Sequence, residues 1–269
     1  MEPAAQNVYK VNVFWESFDG WVVRDGAMPA YVDTDRGQIW SRQDLAQLAD
    51  TVGQRLRPFA GALVAVHLPN GPEFVATVLA AWRQGSPVLP LEGDVDALVA
   101  DRLCVSLQAT ALVNPAGVWP REMGAAVSRE LVAGAALIKL TSGSTGAPRG
   151  VRLGFEALRK GAGQIAETMG IGSEDRTLLT LPLSHSYGFD NGLLMLVVLG
   201  VPIVAARDLT PSRLCKVIRK HRPTVWPAIP FLLDVLTRSR GVSPEDLVSL
   251  RLVISAGALL PVRTRAQFE

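Results

Sequence analysis

The sequence has few of the residues that build covalent cross-links or metal centres. Its 269 residues include only two cysteines and three histidines. Cys104 and Cys215 lie far apart without a C-x-x-C spacing, which favours two small buried thiols in a reducing compartment. His67, His185 and His221 lack zinc-ligand spacing and a neighbouring carboxylate cluster. We therefore expect neither a disulfide framework nor a zinc site.

A strong charge of one sign and a long apolar run are also missing. Charged residues make up 19% and the formal net charge is +2, so composition predicts neither nucleic acid nor an anionic membrane as a partner. The longest apolar run, 192–206, is shorter than a bilayer span and contains Gly200 and Pro202. It predicts a buried helix followed by a buried strand. The first ten residues do not resemble a signal peptide, and we expect a cytoplasmic protein.

Alternating strand-like and helix-like segments dominate the chain. Apolar residues make up 48%, enough for a sizeable globular core. Ser41 and Asp44 resemble a capping box before a helix, and Pro72, Pro211 and Pro230 suit the first turns of three more. The alternation predicts an α/β fold with mostly parallel sheets flanked by helices.

The segment 131–170 breaks this alternation. Residues 135–140 and 151–153 read as two strands, and a helix is expected from about Phe155 to Met169. Between the strands lies a loop of small and hydroxylated residues. With one flanking residue on each side, the segment 140–151 has the sequence Leu-Thr-Ser-Gly-Ser-Thr-Gly-Ala-Pro-Arg-Gly-Val. The loop is therefore predicted to join a hairpin, unlike a strand–loop–helix phosphate site.

This loop has the chemistry of a polyphosphate site. Glycines allow close backbone approach, successive N–H groups form a concave anion site, and Arg149 adds a fixed, forked cation. A P-loop is excluded because the fifth residue after Gly143 is Pro148, and no Lys-Ser or Lys-Thr pair follows. The G-x-G-x-x-G fingerprint is also absent. The alternative is a surface loop of small polar residues without a ligand.

With these residues the sequence resembles the adenylate-forming superfamily, which contains AMP-forming acyl- and aryl-CoA synthetases, firefly-type luciferases and adenylation domains of peptide synthetases. The loop is similar to the family's phosphate loop, with Arg149 where Lys is more usual. Residues 181–188, Leu-Pro-Leu-Ser-His-Ser-Tyr-Gly, resemble the Pro-Leu-x-His-x-x-Gly motif, and 250–259 resemble the strand beside adenine and acyl group. The resemblance extends from about residue 14 to residue 269.

The resemblance implies specific partners. ATP, Mg²⁺ and a carboxylic acid would be bound, and CoA or the phosphopantetheine of an acyl carrier protein would accept the acyl group. The family's next motif, Tyr-Gly-x-Thr-Glu, does not appear before Glu269. We therefore interpret 1–269 as an incomplete amino-terminal domain and expect this span alone to be inactive in adenylation.

The resemblance also implies residue roles. The predicted phosphate ligands are Thr141, Ser142, Gly143, Ser144, Thr145, Gly146 and Arg149, with Thr145 also a candidate Mg²⁺ ligand. His185, Arg149 and Thr145 are the catalytic candidates, although His185 also suits a turn or core histidine. The predicted acid- and adenine-side residues are His185, Tyr187, Gly188, Asn191, Ser255, Gly257 and Ala258, and Tyr187 suits packing equally well.

One position bears on the kind of acid. Family members that activate α-amino acids use an Asp to pair with the substrate ammonium, and our alignment puts Ser186 there. A buried ammonium facing only a hydroxyl would be left unpaired, so we expect a fatty or aryl acid. A shifted alignment would bring in Asp190, which keeps an amino-acid adenylation domain as an alternative. A half-protein that binds nucleotide without turnover is another.

Overall fold

The computed structural model describes residues 16–120, 132–141 and 149–268. Two six-stranded sheets organise them. The strands of the first sheet are β1 (Pro29–Asp33), β2 (Gln38–Ser41), β9 (Thr177–Leu179), β10 (Ile203–Ala205), β11 (Val225–Ala228) and β12 (Leu252–Ser255). Their order is β12-β11-β9-β10-β1-β2. All neighbours run parallel except the β1–β2 pair.

The second sheet has the same number of strands and a similar arrangement. Its strands are β3 (Val64–His67), β4 (Val88–Leu91), β5 (Ala111–Asn114), β6 (Gly117–Pro120), β7 (Ala135–Thr141) and β8 (Arg149–Gly154). They are ordered β6-β5-β3-β4-β7-β8. The interior pairs are parallel, and the two edge pairs, β5–β6 and β7–β8, are antiparallel hairpins.

Helices fill the connections between strands. The α-helices are α1 (16–25), α2 (Arg42–Leu56), α3 (Pro72–Arg83), α4 (Ala97–Ser106), α5 (Phe155–Met169), α7 (Pro211–His221), α8 (Pro230–Thr237) and α9 (Val262–Phe268). Between α5 and α7, helix α6 consists of Ser186–Gly188, a π-helical turn Phe189–Leu194 and Met195–Leu199. Short 3₁₀ turns span Arg57–Phe59 and Pro244–Asp246.

The largest buried cluster lies between the two sheets. It contains Tyr31 and Ile203 of the first sheet and Val64 and Leu137 of the second. Trp82 of α3 is fully buried in this cluster. The two further clusters cover the other faces, one between the first sheet and α7 and α8, the other between the second sheet and α4.

Trp82 connects three elements of this core. Its indole nitrogen donates a hydrogen bond to the carbonyl oxygen of Ala136 in β7 (2.8 Å). Its ring meets Phe155 and Phe189 edge-on, with centroids 5.9 and 6.0 Å apart. A buried indole with a satisfied N–H and two edge-to-face neighbours is a stabilising arrangement. It fixes the second sheet against α5 and α6.

The predicted fold class is confirmed, together with most of the element boundaries. The capping box of Ser41 and Asp44 is present, and α5 has the predicted bounds. The helix expected within 192–206 begins earlier, at Ser186. Cys104 and Cys215 are buried, free thiols. Among the described residues, no helix has both the length and the apolarity needed to cross a membrane.

Candidate functional site

The base of the predicted phosphate hairpin is formed by the ends of β7 and β8. Thr141 pairs with Arg149 and Leu140 with Gly150 in the antiparallel register. The Thr141 hydroxyl donates a hydrogen bond to the Arg149 carbonyl oxygen (3.3 Å). The hairpin setting predicted for the loop is therefore confirmed at its two ends. The predicted ligands Ser142, Gly143, Ser144, Thr145 and Gly146 lie outside the described residues, and their roles stay predictions.

A cavity of about 370 Å³ lies beside this hairpin. Strands β4 and β7 are parallel neighbours, and the residues at their carboxyl ends, Glu92 and Thr141, both line the cavity. His185 lines it from the turn that precedes α6. In parallel α/β sheets, ligands commonly bind in crevices outside the carboxyl ends of the strands. The cavity therefore brings two of the predicted motifs together at a position typical of a binding site.

His185 has an acidic neighbour in this cavity. Its Nε2 atom lies 3.2 Å from Oε1 of Glu92, and about half of each side chain is exposed. A pair this exposed contributes little to stability. Its structural consequence is orientation, since Glu92 favours one placement of the imidazole toward the cavity.

The turn that carries His185 is fixed by a side chain from another element. The Asn70 amide donates to the Leu181 carbonyl oxygen, and the Leu183 backbone N–H donates to the Asn70 side-chain oxygen, both at 2.7 Å. Asn70 lies in the loop between β3 of the second sheet and α3. Both its amide donor and its acceptor are therefore used to hold the segment that leads to His185.

Lys139, which lines the cavity, forms an ion pair with Asp190 of α6. The Lys139 ammonium lies 2.9 and 3.0 Å from the two carboxylate oxygens of Asp190. The side chains are 16% and 27% exposed. Burial raises the pKa of Asp190, while the charge of Lys139 and its hydrogen bond act in the opposite direction. Asp190 is therefore a partly desolvated carboxylate already engaged by a cation.

Tyr187, Gly188 and Asn191 follow His185 in α6 but are not among the described residues that line the cavity. The Tyr187 hydroxyl donates to the Ile254 carbonyl oxygen (2.7 Å). Burial raises the pKa of Tyr187 to about 12. Asn191 is buried and donates to the Tyr187 carbonyl oxygen (3.0 Å). The bond from Tyr187 to Ile254 holds α6 against the first sheet, whereas the bond from Asn191 to Tyr187 lies within α6. Acid binding by these residues stays a prediction.

Ser255, Gly257 and Ala258 lie at the carboxyl end of β12. The Ser255 hydroxyl is buried without a hydrogen-bond partner, and Gly257 has a left-handed backbone angle, φ +91°. Ser255 lines a different and larger groove, of about 820 Å³, between α8, β12 and α9. Because that groove is lined mainly by aliphatic side chains and lacks the hairpin and His185, we assign the candidate chemistry to the smaller cavity.

The described part of the chain contains no preformed cluster of metal ligands. No group of three or more His, Cys, Asp or Glu side chains in 16–120, 132–141 and 149–268 is arranged to hold a metal ion. The predicted ligand Thr145 lies outside these ranges. Mg²⁺ is usually held by one or two carboxylates together with substrate phosphates and water, so Mg²⁺ binding and the role of Thr145 stay predictions.

Comparison with known proteins identifies the family. Residues 18–132 and 130–269 match the profile of the AMP-binding enzyme family, so the chain belongs to this family. It is 27% identical over 288 residues to an L-proline–[L-prolyl-carrier protein] ligase of Streptomyces coelicolor, covering 88% of the chain and 52% of that relative. It is 30% identical over 182 residues to 4-coumarate–CoA ligase 3 of Oryza sativa subsp. japonica, covering 66% of the chain and 30% of that relative.

Solved structures share the fold. The ATP-bound MatB of Rhodopseudomonas palustris superposes with a TM-score of 0.80 at 20% identity, covering 96% of the chain and 57% of that protein. The chain thus spans about half of the length of this structure and of the Streptomyces coelicolor ligase, and a smaller share of the rice ligase. The family and fold are shared, and the activity of the whole protein is a proposal.

Three residues of the site were not predicted from the sequence. Asn70 and Glu92 lie outside the recognised motifs, and Lys139 lies just before the loop. Asn70 precedes Gly71 and Pro72, and only Pro72 was interpreted, as the first turn of a helix. A lysine within an otherwise apolar strand is a signal that could have indicated a buried partner for Lys139, although it would not have identified Asp190.

Proposed function

We propose that this chain forms the amino-terminal part of a ligase that uses ATP to activate a carboxylic acid as its acyl-AMP. The acyl group would then pass to the thiol of CoA or of a carrier protein. One observation carries the proposal. His185 and the hairpin base at Thr141, which belong to separate motifs, line a single cavity at the carboxyl ends of β4 and β7.

The reaction defines what this chain must do. A carboxylate oxygen attacks the α-phosphorus of ATP, the bond from that phosphorus to the bridging oxygen breaks, and pyrophosphate leaves. Most of the catalytic effect in such chemistry comes from positioning and charge stabilisation. Arg149, at the hairpin base, supplies positive charge for the phosphates. Glu92 orients His185 toward the acid.

The occupied carboxylate of Asp190 supports an acid without an α-amino group. Both of its oxygens contact Lys139, so a substrate ammonium would have to displace an existing cation. Ser186, the aligned position, lines the cavity with an uncharged hydroxyl. Ser186 itself offers an ammonium no counter-charge, and a desolvated ammonium without one costs several kcal/mol. We therefore propose a fatty or aryl acid as the substrate.

Glu92 favours a second candidate, an α-amino acid. It is a carboxylate in the lining of the same cavity, and about half exposed. An ammonium could pair with it in place of His185. A relative that covers most of this chain is a ligase for L-proline.

Acid-dependent pyrophosphate release separates these candidates. The protein that carries this sequence would be incubated with ATP, Mg²⁺ and matched fatty, aryl and amino acids. We expect release with the non-amino acids only. Release with an amino acid that is lost in Glu92→Gln would establish the second candidate, whereas ATP binding without release for any acid would indicate a nucleotide-binding half-protein.

Residues 1–269 alone are expected to bind ATP without completing adenylation. ATP titration of this span by calorimetry provides the readout. Absence of binding would remove the basis of the proposal, because the predicted phosphate ligands all lie within 141–149.

A further inference from the structure

The strand that leads into the phosphate hairpin has two different faces. Leu137 belongs to the core between the sheets, whereas Ile138 belongs to the cluster on the opposite face. Because side chains alternate along a strand, Lys139 is on the same face as Leu137, the face covered by α6. Its ammonium lies 5.9 Å from the centre of the Phe189 ring. Without Asp190, this ammonium would be left beside an aromatic ring at the edge of the core.

Hydrogen-bonded contacts near both ends of β7 connect the strand to the neighbouring core and to α6. Near the start of the strand, Ala136 accepts the hydrogen bond of Trp82, which packs on Phe189. Near the end of the strand, Lys139 pairs with Asp190. Only the second contact lies at the cavity, two residues from Thr141. It is also the contact with directional, charge-assisted hydrogen bonds, which define a position more sharply than apolar packing does.

The two ends of this contact belong to the two halves of the candidate site. Lys139 precedes the hairpin base, where Thr141 pairs with Arg149. Asp190 lies in the helix that begins directly after His185, and the Phe189 N–H donates to the His185 carbonyl oxygen (2.8 Å). A displacement of Lys139 relative to Asp190 would therefore change the distance between the hairpin base and His185.

We propose that Lys139 and Asp190 are positioning residues, whose ion pair holds the hairpin base of Thr141 and Arg149 in register with His185. This inference rests on the proposed function, because it concerns the alignment of nucleotide and acid in that cavity. The pair acts through the groups that it places. A small misalignment of reacting groups is costly, and an error of about 1 Å lowers rates by up to about 100-fold.

A double-mutant cycle tests the pair. The variants are Lys139→Met, Asp190→Asn, the double variant, and the charge swap Lys139→Asp with Asp190→Lys. We expect each single variant to lower the kcat of pyrophosphate release about tenfold, with the KM for the acid changed less than about twofold. The kcat of the double variant should be no lower than that of the less active single variant, because both substitutions remove the same interaction. The swap should restore kcat to within about threefold of wild type.

A matched control separates positioning from a general loss of stability. Arg219 of α7 and Asp246 of the 3₁₀ turn Pro244–Asp246 form another ion pair, and the Asp246 side chain is 7% exposed against 27% for Asp190. Arg219→Met should lower the melting temperature and leave kcat within about twofold. If it lowers kcat as much as Lys139→Met does at equal loss of melting temperature, the positioning role is wrong.

The remaining outcomes also decide the question. Additive losses in the double variant would overturn the pair as a unit. A swap variant that melts like wild type yet regains no activity would mean that Lys139 itself contacts the substrate. If the wild type binds ATP but releases no pyrophosphate with any acid, the Kd for ATP is measured in place of kcat. The single, double and swap variants should then show the same pattern of loss and recovery in Kd. If it does not bind ATP, the proposed function fails and the positioning role fails with it.

Discussion

Gly188 lies directly against the carbonyl oxygen of Pro182, and a Cβ atom at Gly188 would overlap it. Gly188 is the third residue after His185, and Pro182 is the third before it. The close approach allows helix α6 to begin directly after the turn 182–185. In that turn the His185 backbone N–H donates a hydrogen bond to the Pro182 carbonyl oxygen (3.2 Å). Packing against Pro182 therefore requires a glycine at this position, and contact of Gly188 with a ligand stays a prediction.

Gly188→Ala is expected to destabilise the protein by about 1–3 kcal/mol, because overpacking forces the backbone to shift. Denaturant unfolding measures this change. Gly163→Ala is the matched control, since Gly163 is also helical and a Cβ there would meet nothing within 4 Å. The control should be neutral or stabilising by up to about 1 kcal/mol. Equal effects in the two variants would contradict the packing explanation.

Asn70→Ala should cost about 2 kcal/mol of unfolding free energy, because it leaves the Leu181 carbonyl and the Leu183 N–H without their partner. Asn70→Asp retains an acceptor for Leu183 but cannot donate to Leu181 when ionised. It is expected to fall between wild type and Asn70→Ala. Urea unfolding of the three proteins gives the order. An Asp variant as stable as wild type would show that the contact to Leu181 contributes nothing.

Tyr187→Phe tests whether this tyrosine packs or binds the acid. The structure uses its hydroxyl in a hydrogen bond to Ile254, so the variant should lose about 1 kcal/mol of stability. The KM for the acid should remain unchanged. A raised KM at unchanged stability would instead support the role in acid binding that the motif suggested.

Asp175 should make stability depend on acid pH. Burial alone would raise the pKa of this carboxyl. The hydrogen bonds from Arg251, the Gly172 N–H and the Thr224 hydroxyl, together with the charge of Arg251, outweigh burial. They lower the pKa of Asp175 below the ordinary value of 3.8. A depressed folded-state pKa adds stability above the unfolded-state pKa, which is lost as the pH falls through the folded-state value.

The measurement for Asp175 is the free energy of unfolding between pH about 6 and about 2.5. Wild type should lose more stability over this range than Asp175→Asn, which lacks the titrating group. Parallel curves for the two proteins would mean that the contacts of Asp175 with Arg251 and Thr224 do not stabilise its ionised form.

The sequence predicted the parts of this fold that depend on local chemistry. Proline at the first turns of α3, α7 and α8 and the capping box at Ser41 are local signals, and all four helices begin there. The hairpins β1–β2 and β5–β6 were not predicted. The division of the strands between two sheets also depends on long-range pairing, such as that of β1 with β10, which no local pattern encodes.

In the candidate site, too, the residues in local motifs were predicted and the long-range contacts were not. His185 and Thr141 carry motif signals, and the structure brings both to one cavity. Lys139, Asp190 and Asn70 act through partners that are distant in sequence, 51 residues apart for the ion pair. Such contacts follow from the packing of α6 against β7 and of α3 beside the His185 turn. These contacts depend on the tertiary structure and could not be predicted from a local sequence pattern.

The most direct measurement of the central claim follows one oxygen atom. An acid labelled with ¹⁸O in its carboxylate would be supplied to the protein that carries this sequence, with ATP, Mg²⁺ and CoA or a carrier thiol. If the carboxylate attacks the α-phosphorus, the bridging oxygen stays with the nucleotide after acyl transfer, and one labelled oxygen appears in AMP. We predict labelled AMP and pyrophosphate. ADP and phosphate as products, or AMP without the label, would contradict the account.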